Sequence, residues 1–351
     1  MYNKSKTPTY SSRTSIGRKF LDFTHKSGLI RAGRGLFKNS LTVINYHRIN
    51  EPHHPSFDSF KPNVSATPSM FEEQMQYLQK QFQIISVSDL SLWLEKKKEL
   101  PPYAALITFD DGYLDNYTYA FPILRKYKFP AVIFLATGHI GTDEPFHWDL
   151  AAYSFSHTEK ERVFFPNEKN ARTWHTKAEA LKVCHLWVEG IKLLPDEEKQ
   201  KWVEQLPTQL DVSIPKNYFK NLMCNWDQVR EMNQNGINFG GHTINHPILS
   251  RISLEMAQTQ IKGSKDRIEE ELNTPVLSFA YPNGMKADIN KNIEAITKQA
   301  GYKVAFTLLN GPSPLSEVKQ NPFTIRRIFI SHTHTISHYA ALTSFFNRYR
   351  K

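Results

Sequence analysis

Two short stretches of this 351-residue chain carry side chains whose types and spacing could do chemistry. In Thr108-Phe109-Asp110-Asp111-Gly112 two carboxylates sit side by side, directly after the apolar run 104–107. Like charges held together repel, so a cation or a shared proton must offset the cost, unless the motif is a solvated Asp-Asp-Gly turn. In His242-Thr243-Ile244-Asn245-His246 two imidazoles stand four residues apart and project to one side if 242–246 enters a helical turn. Joined by Asp111 they make two His and one carboxylate, which leaves a position open for water on a catalytic zinc. Co2+, Ni2+ and Mn2+ accept the same donors. Zinc lowers the pKa of its bound water to about 7, which supplies a nucleophile at neutral pH. Asp110 is then free to act as general base, and His47, closing the apolar run 41–47, is placed to protonate a leaving group. A histidine ending an apolar strand is also often a structural residue.

The elements that must position these groups alternate along the chain. Apolar, β-branched runs at 41–47, 104–109, 131–136, 237–241, 276–281, 303–309 and 324–330 read as strands. Helical composition follows many of them: a segment opened by the capping box Ser69-x-x-Glu72, and the stretches 254–272 and 287–300. Repeated β-then-α units predict an α/β fold with a parallel sheet inside helices, either open and doubly wound or closed as a barrel, and about seven strands suit closure. The stretch 141–220 breaks the rhythm and reads as a mostly helical insertion or lid. Leu181, Cys184, Val188 and Ile191 fall on one helical face and Trp202, Val203 and Leu206 on the next. Trp174, Trp187 and Trp202 read as packing anchors for that insertion.

Charge is unevenly placed. The chain has a formal net charge of +10 and a pI near 9.3, yet nine bases against the single acid Asp22 fall in residues 1–40. Five more bases and no acid fall in 326–351, so the residues between them are slightly acidic. That distribution argues against a basic domain wrapping nucleic acid. Two cysteines, Cys184 and Cys224, form no disulfide framework or thiolate metal site. The first twenty residues lack the apolar stretch of a secretory signal, which points to a cytoplasmic protein. In the basic leader 1–40, Phe20, Leu21, Phe23, Leu29, Ile30, Leu36 and Phe37 interleave with the bases. This suits an interfacial segment on the anionic inner face of a membrane, or a helix docked on the catalytic domain that follows at 41–345.

Thr-Phe-Asp-Asp-Gly and His-Thr-x-x-His together resemble the first and second motifs of the NodB-homology polysaccharide deacetylases, carbohydrate esterase family 4. The resemblance runs from about residue 41 to 330 and implies a distorted (β/α)7 barrel, here with a helical insertion, and zinc-dependent hydrolysis of N-acyl or O-acyl groups on sugars. Residue by residue, Asp110 matches the base, and Asp111, His242 and His246 match the metal ligands. The third motif departs from the family pattern: Ala280-Tyr281-Pro282-Asn283 stands where Arg-x-Pro-Tyr/Phe is usual, so the arginine that orients the base is missing. This form is similar to the branch that includes poly-N-acetylglucosamine deacetylases, in which the catalytic histidine comes from the N-terminal strand, as His47 would. By the same resemblance the backbone N–H of Asn283 would help stabilise an oxyanion. Tyr281 and Pro282 are candidate cleft walls, as are Trp148 and Asp149 by their place after the loop that follows the run 131–136. Asp149 reads equally well as a helix-start acid.

Arg326 and Arg327 must point to opposite faces of a regular strand, and Arg327 is our candidate partner for Asp110. His332, His334 and His338 could instead supply the acid, but the polar stretch around them reads as a solvated loop. The expected reaction removes an N-acyl group, most simply acetyl, from a sugar in a glycan or in a lipid-linked or nucleotide-linked precursor. The alternatives are a deformylase or O-deacetylase of a lipid-linked sugar, and a sugar-binding pseudoenzyme. If the leader is a membrane address, deleting residues 1–40 should abolish co-sedimentation with anionic vesicles and leave turnover intact; retained sedimentation would contradict it.

Overall fold

The computed structural model describes residues 38–344. All but the last three residues of the leader, and Phe345 at the expected end of the catalytic domain, lie outside the described residues. The frame is a rolled, mainly parallel sheet whose barrel strands are β1 (Ser40–Tyr46), β2 (Ala104–Phe109), β3 (Ala131–Leu135), β4 (Ile237–Gly241), β5 (Ser278–Ala280), β6 (Val304–Phe306) and β7 (Ile328–Phe329). All residues of β1, β2 and β3 are buried, as expected of strands covered on both faces.

Alternation sorts them. Leu41, Val43, Leu106, Val132, Phe134, Ala280, Val304 and Phe306 form one apolar cluster inside the barrel. Ile44, Tyr46, Ile107, Phe109, Ile133, Leu135 and Phe279 face outward into the larger cluster beneath the helices.

Closure depends on the last strand, and here the structure corrects the expectation of one regular strand over 324–330. Ile325 pairs with Phe306 at the free edge of β6, whereas Ile328 and Phe329 pair with Ile44 and Asn45 of β1. Arg326 and Arg327 lie between these pairings, at the seam where the sheet's two edges meet. The two side chains do diverge: Arg326 is half-exposed and bonded to Glu317, and Arg327 is fully buried.

Helices cover the outside. α1 (Pro68–Gln81) starts from Thr67, whose Oγ1 accepts the Met70 N–H, with Pro68 in the first turn. Ser69 is thus inside the helix, and Glu72 pairs with Lys126 of α2 (Phe121–Tyr127) rather than closing a capping box. In the insertion, α3 (His147–His157), α4 (Lys177–Ile191) and α5 (Asp196–Gln209) are helical as expected, but a short antiparallel pair joins Arg162–Val163 to Arg172–Thr173. Trp187 is fully buried, Trp174 nearly so and Trp202 half-buried, all as packing residues. Leu181 is exposed; Val183 and Trp187 complete the buried face of α4.

Further along, α6 (Trp226–Gln234) and α7 (Leu254–Leu272) precede β5, and α7 has the predicted bounds. α8 (Lys291–Gln299) begins four residues later than expected because Asn290 caps it. α9 (Ile336–Leu342) packs beside α1.

Gly240 permits the tight interior: a Cβ there would lie 2.5 Å from the Phe134 ring and 2.7 Å from the Ser278 carbonyl. Gly240→Ala should therefore cost about 1–3 kcal/mol by overpacking. A lowered urea midpoint with an unchanged far-UV spectrum is the expected result; an unchanged midpoint would contradict a closed, filled interior.

Candidate active site

Parallel pairing in register brings strand ends together. Ile44, Asn45 and Tyr46 sit opposite Ile107, Thr108 and Phe109, and the Asp110 amide donates to Tyr46 O, so His47 and Asp110 emerge level at one rim. His242 follows β4, Asn283 follows β5 and Arg327 stands at the seam, so all belong to the carboxyl-terminal rim, where barrel sites form. A cavity of about 520 Å³ opens there, lined by His47, Asp110, Asp111, His242, His246 and Asn283, with Trp148 in its wall.

The adjacent carboxylates are treated differently. Asp110 is held by a fork: Arg327 Nη1 donates to Oδ1 at 2.6 Å and Nη2 to Oδ2 at 2.9 Å, while Asn45 Nδ2 adds a bond of 3.3 Å. Burial alone would raise its pKa; the Arg327 charge, then His242 and His47, outweigh burial and hold it down to about 2. Asp110 is thus ionised at neutral pH. Asp111 has no such partner. It is fully buried, neither carboxylate oxygen has a hydrogen-bond donor among the described residues, and burial followed by the charges of Asp110 and Asp149 pushes its pKa well up.

What faces Asp111 is a pair of imidazoles. Nε2 of His242 and Nε2 of His246 each lie 3.6 Å from Asp111 Oδ1 and 3.1 Å from each other. Donors 3.1–3.6 Å apart suit an ion held at about 2.0–2.2 Å with tetrahedral edges near 3.4 Å. His242 Nδ1 lies 2.7 Å from Ala280 O, to which its N–H donates, leaving Nε2 with a free lone pair. Burial lowers the pKa of both rings, so both are neutral at pH 7. The orphaned carboxylate and the converging lone pairs fit a divalent cation, and these three residues form the metal-capable cluster found among the described residues.

The convergence is not helical. Residues 242–246 form a bend in which Thr243 and His246 have φ of +67° and +56°, with Thr243 Oγ1 accepting the His246 N–H. Asp111 and Asn283 also have positive φ, +78° and +59°. Four non-glycine residues in the left-handed region at one rim mark backbone held against its preference, at about 1–3 kcal/mol each.

His47 lies with Nε2 3.8 Å from Asp110 Oδ2 and is partly open to the cavity. Burial lowers its pKa to about 4, with Asp110 opposing and Arg327 reinforcing the shift, so it rests neutral. The Asn283 side chain donates to Asp288 Oδ2, fixing its loop.

Several expected wall residues lie elsewhere. Tyr281 is buried with its ring edge-on to Phe279 in the outer cluster, and Pro282 is not among the cavity-lining residues, because alternation along β5 turns Tyr281 away. Asp149 is fully buried beside Arg48 and Tyr113. The histidine-rich stretch is no solvated loop: His334 is buried against His338 on α9, and His332 lines the cavity with Nδ1 3.0 Å from Val64 O.

Sequence reasoning missed Asn45, which also accepts from Arg327 Nη1 and Thr108 Oγ1; its signal was a polar residue inside an apolar strand. Also missed were His185, Glu189, Lys192 and Lys199, through which the insertion walls the cavity.

Residues 97–305 match the family model described as polysaccharide deacetylase. A poly-beta-1,6-N-acetyl-D-glucosamine N-deacetylase of Staphylococcus aureus is 36% identical over 117 residues, covering 31% of this chain and 40% of the relative. The chain thus matches less than half the length of that protein. The Staphylococcus epidermidis protein of the same name is 27% identical over 218 residues, covering 58% of this chain and 72% of the relative. Among solved structures, the Streptococcus pyogenes deacetylase PplD superposes with a TM-score of 0.57 at 19% identity, covering 87% of this chain and 99% of that one. IcaB from Ammonifex degensii gives 0.54 at 19% identity, covering 87% and 97%. At those identities the likeness is one of fold.

Because Asp110 titrates near 2 when folded against 3.8 ordinarily, it contributes stability above about pH 4 that is lost as pH falls toward 2. Arg327→Met should remove that acid dependence and cost about 3–5 kcal/mol by leaving a buried charge unpaired. Urea unfolding at pH 3 and pH 6 checks both; a variant as stable as the wild type would contradict the pairing.

Proposed function

The chain belongs to the polysaccharide deacetylase family, and from that membership we propose that it hydrolyses the N-acetyl group of N-acetylhexosamine units in a glycan or a lipid-linked glycan precursor. The observation that carries this reading is the sharing of one cavity by Asp110, held from behind by Arg327, the Asp111, His242, His246 cluster and His47. The names of the staphylococcal relatives support the N-acetylglucosamine polymer as substrate class. The intact donor set and base favour turnover over a sugar-binding pseudoenzyme.

Asp111, His242 and His246 would hold a divalent cation, zinc or another transition metal, which when bound supplies Lewis-acid polarisation of the acyl carbonyl and acidifies water. Asp110 Oδ2, kept ionised by Arg327, takes the proton of the attacking water. The fork from Arg327 and the bond from Asn45 fix that carboxylate, so Arg327 acts as a positioning residue in place of the third-motif arginine. Asn283 lines the cavity, and its backbone N–H would stabilise the developing oxyanion, a task that needs no particular side chain. His47 rests neutral, receives at Nε2 the proton that Asp110 took from the water, its Nε2 lying 3.8 Å from Asp110 Oδ2, and gives it to the departing amine, which returns both side chains to their starting states. Products are the free amino sugar and acetate. The leader 1–40 serves as a peripheral membrane address at the cytoplasmic face.

Purified protein supplied with zinc should release acetate from N-acetylglucosamine oligomers and lose that activity with a chelator or with Asp111→Asn. His47→Asn should lower kcat by about 10²–10⁴, and His332→Asn should leave kcat within a few-fold. Greater loss in the His332 variant would move the acid role there. Formate or O-acetyl release without N-deacetylation would replace the substrate assignment.

A further inference from the structure

The two histidines facing Asp111 are supported unequally. His242 has a backbone carbonyl on its far nitrogen, whereas the ring of His246 stands edge-on to Trp148 and Phe146, with centroids 5.0 and 5.6 Å away. Trp148 is in turn fixed by polar bonds. Its Nε1 donates to the Tyr113 hydroxyl at 2.6 Å, and that hydroxyl donates to Asp149 Oδ2 at 2.7 Å.

The chain of contacts continues away from the site. Asp149 Oδ1 accepts the Phe60 amide at 3.2 Å and lies 3.8 Å from Arg48 Nη1. The Arg48 guanidinium sits 4.5 Å over the Tyr113 ring and bonds Asp115 at 2.7 Å. Asp115 also accepts the Ile49 amide at 3.1 Å, and Asn116 donates to His47 O at 2.8 Å.

Tyr113, Trp148, Asp149, Arg48 and Asp115 are all buried. A buried cluster of this kind adds little to stability over apolar residues of the same volume, so its use lies in what it aligns. It ties three loops together: the one after β1 with His47, the turn with Asp110 and Asp111, and the start of α3 against His246.

We propose that Tyr113 is a positioning residue for the metal centre: its hydroxyl locks Trp148 against His246 and thereby sets the affinity for the divalent ion. This rests on the metal-centre reading above. Tyr113 itself does not line the cavity. Removing its hydroxyl leaves Trp148 Nε1 unpaired and Asp149 short of a donor, which frees the wall that holds His246.

The test is titration of Zn2+ and Co2+ into the full chain, read as dissociation constant and as the visible absorption of the cobalt form. Tyr113→Phe should weaken binding about ten- to a hundred-fold, the loss typical of supporting partners of metal ligands, and alter the cobalt spectrum. Trp148→Phe, which keeps an aromatic wall without Nε1, should do the same and carries the test if Tyr113→Phe does not fold. Tyr339→Phe is the control: its buried hydroxyl also bonds, to Tyr46, but α9 lies away from the cavity, so stability falls and affinity stays. Tyr113→Phe and Trp148→Phe binding both ions with wild-type affinity and spectrum would overturn the proposal. A wild-type chain that binds neither ion would overturn the metal-centre reading, and this inference with it.

Discussion

Two carboxylates that cannot both be ionised unaided are buried next to each other, and the rest of the rim is arranged around that constraint. Each charge taken out of water costs several kcal/mol unless paired, and the pair repel. The molecule resolves the two halves in different ways. Asp110 receives a guanidinium fork and becomes a fixed, ionised acceptor. Asp111 receives only two neutral imidazoles, whose Nε2 atoms lie 3.6 Å from its Oδ1, an environment that suits a cation.

That division requires closure of the sheet. The segment 325–329 pairs with β6 at one end and β1 at the other, and Arg327 at the seam reaches Asp110 above the apolar interior, with its guanidinium 5.7 Å from the Phe134 ring. An arginine at the seam thus holds Asp110 by a bidentate fork. Ala280 contributes its backbone carbonyl, which accepts from His242 Nδ1. The insertion adds Lys192, Lys199, His185 and Glu189 to the cavity's lining, beside the residues that emerge from the strand ends.

Much of this was legible in order. The runs 104–109 and 237–241 and the helix 254–272 have the expected bounds, because hydrophobic periodicity and caps are local. The alternation that sets Arg327 opposite Arg326 survives even though 324–330 is not one strand. The spacing of His242 and His246 signals a metal pair for the wrong local reason, since the bend through Thr243 and not a helical turn brings them together. Contacts between distant segments were not legible. Nothing near Asn45, Tyr113 or Arg48 in sequence announces that Asp110, Trp148 or Asp149 will lie against them. Tyr281 and Asp149 read as cleft residues only for want of knowing which face of the fold they meet.

A buried, uncompensated Asp111 that awaits a cation has a clear signature in thermal unfolding with and without zinc. Asp111→Asn, which removes the unpaired acid at almost constant volume, should be more stable than the wild type in chelator and gain nothing from zinc, whereas the wild type should gain a large upward shift in Tm. An Asp111→Asn variant less stable than the wild type in chelator, yet equally stabilised by zinc, would show that Asp111 is not kept for a cation.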